Sequence, residues 1–313
     1  MPKPRILVVG SANMDIVLPV QRMPNRGESI VAENYNYKYI PGGKGANAAV
    51  AAARLGADVI FCARIGQDDI GLKLLHFYEQ ENISIEYVKR DRNTPTGLAA
   101  IILEDDGTNR IIVYPNSNLN LKVDDVEDAF LTYPDAVLLQ FETNPEAIIA
   151  ATKFAADKKI PVIIDAGPVR KDFPYELLKK VEIISPNEIE TMQISGINPM
   201  TDAMCLQACL RLQNMTKSKH AVLKLSDRGC CSYDGKSFEY YTPHHVNVVD
   251  TTAAGDAFTA ALAVEYLKNG NLNKACKYAN IVGALTVTKF GAITSLPTKK
   301  EVDDFILNRN IKL

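Results

Sequence analysis

Residues 37–57 read YKYIPGGKGANAAVAAARLGA. Three glycines and Lys44 stand directly before a run of alanines, which predicts a helix because alanine has the highest helix propensity. Gly56 is placed to end this helix. Glycine and lysine before a helix are common where phosphate binds, but a Walker A loop needs four residues between its first glycine and Gly-Lys, then Ser or Thr. Here Gly45 follows Lys44, which raises the question of what Lys44 holds.

Buried strands and amphipathic helices alternate along the rest of the chain. RILVVG (5–10) is a continuous apolar strand, the kind that is buried on both faces of a parallel sheet. Further strands are predicted at 57–66, 136–141, 160–166, 181–185 and 221–226, and further helices at 68–83, from about 145, after 186 and near 202–214. This repeated βαβ order predicts an α/β fold, with a doubly wound, mostly parallel sheet and helices on both faces.

Two segments lack the helices that would cover a buried sheet. Residues 14–40 show little helical periodicity, and residues 94–115 contain two strand-like runs about Asp106 and Gly107, a strong hairpin signal. We expect these segments to pair into a small β-sheet that projects as a lid from a single α/β domain covering residues 1–313. The alternative is two unrelated excursions at the sheet edge. Because exposed lid strands have unpaired edges, we also expect a homodimer that pairs lid to lid.

The composition of the 313-residue chain argues against several classes of protein. A net charge of −2 gives no field that would attract nucleic acid or an anionic membrane surface. No apolar run approaches the roughly 20 residues that span a bilayer, and the first residues lack the pattern of a secretory signal. We therefore expect a cytosolic protein. The six cysteines and four histidines form no zinc or triad pattern, so the cysteines are interpreted as buried free thiols.

The stretch DTTAAGD (250–256) precedes a long amphipathic helix. The first N–H groups of a helix have no carbonyl partner and carry partial positive charge, and small residues let an anion approach them. The N–H groups of residues 253–256 could therefore stabilise a transferring phosphoryl group while Asp256 takes the proton from an attacking hydroxyl. The alternative is that Asp256 only caps the helix.

The stretch SPNEIET (185–191) follows a predicted strand. Asn187 and Glu190 are three residues apart and share one face of a helix. Their amide and carboxylate could hold a hydrated Mg²⁺ that bridges phosphates, since this ion keeps several waters and takes few protein ligands. The same two residues also fit a capping box at the helix start. The sequence leaves both interpretations open.

Polar residues cluster around the loop GGKGAN (42–47). Asn13 and Asp15 follow the first strand, and Lys44 and Asn47 lie in the loop. Carboxylate, amide and ammonium groups beside a glycine backbone suit a polyhydroxyl ligand, because each sugar hydroxyl needs both an acceptor and a donor. The fingerprint Gly-x-Gly-x-x-Gly is absent after the first strand, which argues against a dinucleotide-dependent oxidoreductase of the same fold class.

Together GSANMD, PGGKGAN, SPNEIET and DTTAAGD resemble the ribokinase group of the PfkB carbohydrate-kinase family. The resemblance covers essentially the whole chain, including the lid strands and the order of the motifs. It implies a sugar kinase that uses ATP, Mg²⁺ and a K⁺ activator, with Asp256 as catalytic base and D-ribose as the expected acceptor. The alternatives are a kinase for a nucleoside, fructose or a deoxy sugar, and a sugar-binding regulator without turnover.

The resemblance also implies roles for particular residues. Those implied to bind the sugar are Asn13, Met14, Asp15, Gly43, Lys44, Gly45, Asn47, Glu142 and Asp256. The anion hole is implied at Ala253, Ala254, Gly255 and Asp256. Those implied to bind nucleotide and Mg²⁺ are Asn187, Glu190, Lys224, Ser226, Asp227, Arg228, Gly229, Gly255 and Asn280. A K⁺ site, mostly of backbone carbonyls, is implied at Asp250, Thr252, Thr286, Lys289, Gly291 and Ser295. Lys44 is thus expected to hold sugar, not phosphate.

Two positions depart from the family pattern. The nucleotide loop usually reads Leu-Gly-x-x-Gly, and Ser226 replaces its first glycine. If that position needs a positive φ, serine is unfavourable there and the loop is expected to shift. Asn280 stands where ribokinases often have histidine, so adenine stacking is expected to be weaker. Both changes bear on nucleotide affinity and leave the reaction class unchanged.

Overall fold

The computed structural model describes residues 3–33 and 35–313. Its strands are β1 (Arg5–Val9), β2 (Asn13–Val20), β3 (Lys38–Gly42), β4 (Asp58–Gly66), β5 (Val88–Asp91), β6 (Gly97–Glu104), β7 (Asn109–Tyr114), β8 (Ala136–Leu139), β9 (Val162–Asp165), β10 (Val181–Ser185), β11 (His220–Lys224), β12 (Cys230–Tyr233) and β13 (Phe238–Tyr241). Its α-helices are α1 (Lys44–Arg54), α2 (Asp69–Gln80), α3 (Val123–Ala129), α4 (Pro145–Lys158), α5 (Glu188–Ser195), α6 (Asp202–Thr216), α7 (Ala254–Asn269), α8 (Leu272–Thr286) and α9 (Lys299–Asn308).

The central sheet has the strand order β13-β12-β11-β10-β9-β8-β1-β4-β5. The pairs from β11 to β5 are parallel, and β12 and β13 are added antiparallel at one edge. Alternate residues of β1 belong to different apolar clusters. Ile6 and Val8 pack with residues of α1, α7 and α8, and Leu7 and Val9 with residues of α3, α4 and α6. The predicted doubly wound α/β fold is therefore confirmed.

The second sheet has the strand order β3-β2-β6-β7. Its outer pairs are antiparallel, and its central pair, β2 and β6, is parallel. Asp106 and Gly107 lie in the turn between β6 and β7, as predicted, and Gly107 has a φ of +87°. The two segments form one sheet, so the alternative of unrelated excursions is wrong.

Small residues let α1 approach β1 and α7 closely. Residues 45–52 are all buried, and most of them are alanine. A Cβ on Gly45 would lie 2.5 Å from the backbone nitrogen of Ser11, so only glycine fits there without a backbone shift. This packing places Lys44 and Asn47, in the first turn of α1, beside the first turn of α7.

The six cysteines are buried free thiols, as interpreted from their spacing. Within residues 3–33 and 35–313, no helix combines the length and the apolar character needed to cross a membrane.

Candidate active site

The residues identified from the sequence meet at the carboxyl edge of the central sheet, where β1 lies between β4 and β8. The chain winds outward in both directions from this point, and ligands of doubly wound folds bind in the crevice at such a switch point. The first turns of α1 and α7 border this crevice. Gly43 precedes α1 with a φ of +91° and leads the chain from the lid into the helix.

Asp256 lies in the first turn of α7 and is 5% exposed. Its carboxylate accepts hydrogen bonds from the Asn47 amide at 2.8 Å and from Lys44 Nζ at 3.2 Å. In the described part of the chain no side chain caps α7, whose N-cap residue, Ala253, has a left-handed φ of +61°. The structure therefore contradicts the alternative in which Asp256 caps the helix. The Ala254 N–H donates to the Thr251 carbonyl at 3.3 Å, and within residues 3–33 and 35–313 the next N–H groups, those of Gly255 and Asp256, have no protein acceptor and are available to an anion.

A hydrogen-bonded network holds the acceptor side of the crevice. The Asn118 side-chain amide donates to Asn13 Oδ1 at 2.7 Å, and Asn118 Oδ1 accepts from the Ala12 backbone N–H at 2.8 Å. The Glu142 carboxylate accepts from the Lys44 backbone N–H at 3.0 Å and from the Ser11 hydroxyl. These contacts fix Asn13 and Glu142 at the crevice before any ligand binds.

Asp15 adds a third carboxylate near Glu142 and Asp256. Burial, followed by the charges of those two carboxylates, raises the pKa of Asp15 to about 7. Met14, between Asn13 and Asp15 on β2, is buried in the apolar cluster with α1, because neighbouring side chains of a strand point to opposite faces. The structure thus separates the Met14 side chain from the other residues predicted to bind sugar.

A second set of charges lies beside α7. Lys224 Nζ donates to Asp165 Oδ2 at 2.8 Å and to the Thr259 hydroxyl at 3.3 Å. Lys44 Nζ lies 4.0 Å from the other Asp165 oxygen. Burial alone would raise the pKa of Asp165, but Lys224 and Lys44 together hold it below its ordinary value. Asp165 is therefore an ionised internal acid shared by two lysines.

Asn187 and Glu190 form both hydrogen bonds of a capping box at the start of α5. Glu190 N–H donates to Asn187 Oδ1 and Asn187 N–H donates to Glu190 Oε2, each at 2.8 Å. The other Glu190 oxygen faces Gly167, where a Cβ would lie 2.1 Å from it. Burial raises the pKa of Glu190 despite nearby Lys224 and Lys44. With these oxygens engaged, the two side chains fit a Mg²⁺ ion held through water better than direct ligation.

The predicted nucleotide loop connects β11 to β12. Ser226 has a left-handed φ of +52°, so this position does take the positive φ that disfavours serine. Its hydroxyl donates to Glu188 at 2.8 Å, and Arg228 also pairs with Glu188. Gly229, with a φ of +89°, lies against the backbone of Tyr241, where a Cβ would be 2.2 Å from the carbonyl oxygen.

Two other residues predicted at the nucleotide site differ in their surroundings. Asp227 is exposed in the loop. Asn280 lies on α8 and donates to the Thr242 carbonyl at 2.7 Å, which ties that helix to the segment after β13. Its amide group is therefore engaged by the protein backbone.

The two loops predicted to bind K⁺ lie side by side. The Asp250 carboxylate accepts from the Gly291 backbone at 2.8 Å and from the Thr252 backbone at 2.9 Å, and Val249 N–H donates to the Val287 carbonyl. Thr286 and Ser295 donate their hydroxyls within their own helical turns, and Lys289 pairs with Glu301. The oxygen donors brought together here are of the kind that K⁺ prefers.

Sequence reasoning missed three residues of the site: Ser11, Asn118 and Asp165. Ser11 stands inside a quoted motif, and Asp165 is a polar residue at the carboxyl end of a buried strand, a position that itself indicates a site. Asn118 follows the lid in an irregular stretch that carries no local signal. In residues 3–33 and 35–313, no group of three His, Cys, Asp or Glu side chains is arranged to hold a metal ion.

Comparisons with known proteins assign the family. The model of the pfkB family carbohydrate kinases matches residues 3–299. Ribokinase from Arabidopsis thaliana is 33% identical over 308 residues, which cover 96% of this chain and 80% of that protein. Ribokinase from Staphylococcus aureus is 32% identical over 303 residues, covering 96% and 98% of the two chains.

A solved structure gives the same result in three dimensions. Arabidopsis thaliana ribokinase complexed with ribose and ATP superposes with a TM-score of 0.88 at 32% identity, covering 98% of this chain and 99% of that one. The protein is thus a sugar kinase. The chain belongs to the pfkB family of carbohydrate kinases, and the resemblance seen in its motifs is confirmed.

The pKa of Asp15 leads to a pH-dependent prediction. If Asp15 accepts hydrogen bonds from sugar hydroxyls, only its ionised form binds fully. We expect kcat/KM for the sugar to fall about tenfold as the pH is lowered from 8 to 6, and Asp15→Asn to remove this dependence.

The raised pKa of Asp15 in the folded protein also affects stability. The Asp15 contribution to the free energy of unfolding is lost as the pH rises through 7. Asp15→Asn should therefore raise the Tm at pH 8.

The measurements are initial rates across pH and thermal unfolding at two pH values. Asp172→Asn, which removes an exposed carboxylate, is the matched control and should keep the wild-type profile. A wild-type profile that is flat from pH 6 to 8 would contradict the role of Asp15.

Proposed function

We propose that this protein transfers the terminal phosphoryl group of ATP to the primary hydroxyl of D-ribose and forms D-ribose 5-phosphate. The observation that carries the proposal is the geometry around Asp256. One carboxylate lies in the first turn of α7, beside the N–H groups of Gly255 and Asp256, while Lys44 and Asn47 of α1 hold it in place. Ribokinases at about a third identity over nearly the whole chain support ribose as the acceptor.

The reaction follows from these positions. The ribose hydroxyl gives its proton to Asp256 as its oxygen forms a bond to the terminal phosphorus of ATP, and the bond from that phosphorus to the bridging oxygen breaks to release ADP. The N–H groups of residues 253–256 would stabilise the negative charge on the transferring phosphoryl group. Asn13, Asp15 and Glu142 are proposed to bind the other sugar hydroxyls. Lys44 as a sugar ligand stays a prediction.

Asp256→Asn tests the base. The substitution keeps the shape and the hydrogen bond from Asn47 but removes the proton acceptor, so kcat should fall about 10²- to 10⁴-fold. The measurement is coupled-assay ATP turnover with Mg²⁺ and K⁺ against ribose, 2-deoxyribose, fructose and adenosine. Asp304→Asn, on the exposed face of α9, is the control and should behave as wild type.

The acceptor panel separates the alternatives. Ribose should give the highest kcat/KM. If adenosine leads, the substrate assignment is wrong while the chemistry stands, and binding of ribose without turnover would replace the kinase by a regulator. A cleft of about 410 Å³ between the lid residues Val17 and Ile101 and the loop residue Phe290 has room for an acceptor larger than a pentose, which is why adenosine is included.

We further propose that Mg²⁺ binds through water at Asn187 and Glu190 and that K⁺ binds between the loops around Asp250 and Gly291. Mg²⁺ would neutralise charge on the ATP phosphates, and K⁺ would add positive charge next to the anion hole, because Thr252 directly precedes Ala253. The oxygen donors of the two loops support the K⁺ site. A cytosolic location also stays a prediction.

Exchange of monovalent cations tests the K⁺ site. We expect kcat to be several-fold higher in K⁺ than in Na⁺ at equal ionic strength, because carbonyl oxygens discriminate between these ions. Asp250→Asn, which weakens the bridge between the two loops, should reduce that ratio toward one. Equal rates of the wild type in both salts would rule out the proposed activation.

The lid supports a homodimer. Residues 111–114 of its edge strand β7 are apolar and about half exposed. Because side chains alternate along a strand, Ile111 and Val113 face one side of the lid and Ile112 and Tyr114 the other. One side can cover the crevice, but the other and the free edge need a partner, and pairing two lids would cover both.

Light scattering with size exclusion tests the dimer. One chain has a mass of 34.4 kDa, and at micromolar concentration the wild type should show twice that mass. Ile112→Lys should shift it toward one chain, because a charge would be buried between the lids. Leu307→Lys changes an apolar residue of α9 that is 74% exposed and should leave the mass unchanged. A wild-type mass of one chain would remove the proposal.

A further inference from the structure

The ion pair of Asp165 and Lys224 has no part in the reaction described so far. Asp165 ends β9 and is 1% exposed, and Lys224 ends β11 and is 8% exposed. Their charged atoms are 2.8 Å apart, and the Thr259 hydroxyl lies within 3.3 Å of both. The two charges are thus deeply buried at the carboxyl edge of the sheet, next to the helix that carries the anion hole.

Stability alone does not account for this pair. Removing two charges from water costs nearly as much as their attraction returns, and apolar residues of similar volume often stabilise a core as well or better. One Asp165 oxygen also lacks a hydrogen-bond partner among residues 3–33 and 35–313, although Lys44 Nζ lies 4.0 Å from it. A buried charge that is incompletely satisfied inside a ligand crevice indicates a functional position.

Lys224 lies against the anion hole. A Cβ on Gly255 would lie 3.4 Å from Lys224 Nζ, so the ammonium group faces the first turn of α7 at the position where this glycine has no side chain. An ammonium group has three N–H donors. In the described part of the chain two of them meet protein acceptors, Asp165 and Thr259. A third donor is available to a ligand in the anion hole.

The charges of the crevice make a cation necessary at this point. The transferring phosphoryl group would approach Asp256, with Asp165 and Glu190 also nearby, and the helix N-terminus offers only about half a positive charge against them. Lys44 lies on the acceptor side, 3.2 Å from Asp256. Lys224 lies on the other side of Asp165, along the flank of α7. Asp165 thus separates one lysine on the acceptor side from one on the phosphate side.

We propose that Lys224 is a further catalytic residue, which donates a hydrogen bond to the phosphoryl group transferred from ATP, and that Asp165 is a positioning residue that holds Lys224 at the anion hole. The proposal rests on the proposed kinase function. In this transfer the acceptor proton goes to Asp256, the new bond forms between the acceptor oxygen and phosphorus, and the bridging oxygen leaves with ADP. Lys224 stabilises the charge on the equatorial oxygens during this transfer.

Lys224→Met tests the proposal, since it keeps the length of the side chain and removes its charge. We expect kcat to fall about 100-fold. ATP binding measured by calorimetry without sugar should weaken about tenfold, with ADP binding unchanged because ADP lacks the terminal phosphate. Lys219→Met is the matched control: it removes a lysine directly before β11 that is 60% exposed and paired with Glu182, and it should leave all three quantities unchanged.

A double variant separates catalysis from folding. Lys224→Met leaves Asp165 buried without its partner, which should lower the Tm or prevent folding. Adding Asp165→Asn removes the unpaired charge and should restore the Tm without restoring kcat or the preference for ATP over ADP. Recovery of kcat in the double variant, or equal loss of ATP and ADP binding in Lys224→Met, would show a structural role and overturn the proposal.

The outcomes also distinguish this proposal from the proposed function. If the wild type phosphorylates a sugar and Lys224→Met is as active, Lys224 is not catalytic while the kinase function stands. If the wild type phosphorylates no sugar but binds ATP more tightly than ADP, and Lys224→Met lacks that preference, the kinase function fails while Lys224 is still the ligand of the terminal phosphate.

Discussion

The contact between the first turns of α1 and α7 is the constraint on which the site depends. Lys44 and Asn47 reach Asp256 across more than 200 residues of sequence. They can do so because glycine and alanine let α1 lie against the end of β1 and against α7. Larger residues on this face of α1 would move the helices apart and separate the ammonium and amide groups from the carboxylate they hold. The alanine-rich sequence is therefore as much a requirement of the chemistry as of the fold.

Charge balance explains how the crevice accepts both of its substrates. The acceptor side gathers Asp15, Glu142 and Asp256, which suit sugar hydroxyls but repel phosphate. Burial, followed by the charges of Glu142 and Asp256, raises the pKa of Asp15. The phosphate side must offset this field with the N-terminus of α7 and with lysines. Asp165 lies between the two sides and pairs with Lys224. Although burial lowers the pKa of Lys44, the charges of Asp256 and then Asp165 raise it above its ordinary value.

The sequence was sufficient for the fold, and the structure brings Lys44, Asn47 and Asp256 of the predicted site together. Continuous apolar strands, helical periodicity and the Asp106-Gly107 turn are local signals, and each corresponds to an element of the structure. Local patterns could not decide whether Asp256 caps α7, because that depends on partners in α1. They also missed Asn118, whose role comes from its contacts with Ala12 and Asn13, and they included Met14, whose side chain turns into the core. Asn187 and Glu190 do form the capping box that the sequence left open, which engages one oxygen of each side chain.

Strained backbone marks the two loops on the phosphate side. Ala253 and Ser226 both have left-handed φ values, a conformation that costs about 1–2 kcal/mol for residues with a side chain and that persists where surrounding structure fixes it. For Ser226 the surrounding structure is Glu188, which accepts hydrogen bonds from both Ser226 and Arg228. Glu188 adjoins Asn187 at the start of α5, so the nucleotide loop and the residues proposed for Mg²⁺ are joined into one unit. The serine that departs from the family pattern lacks the conformational freedom of glycine, but its hydroxyl links the loop predicted to bind nucleotide to the start of α5.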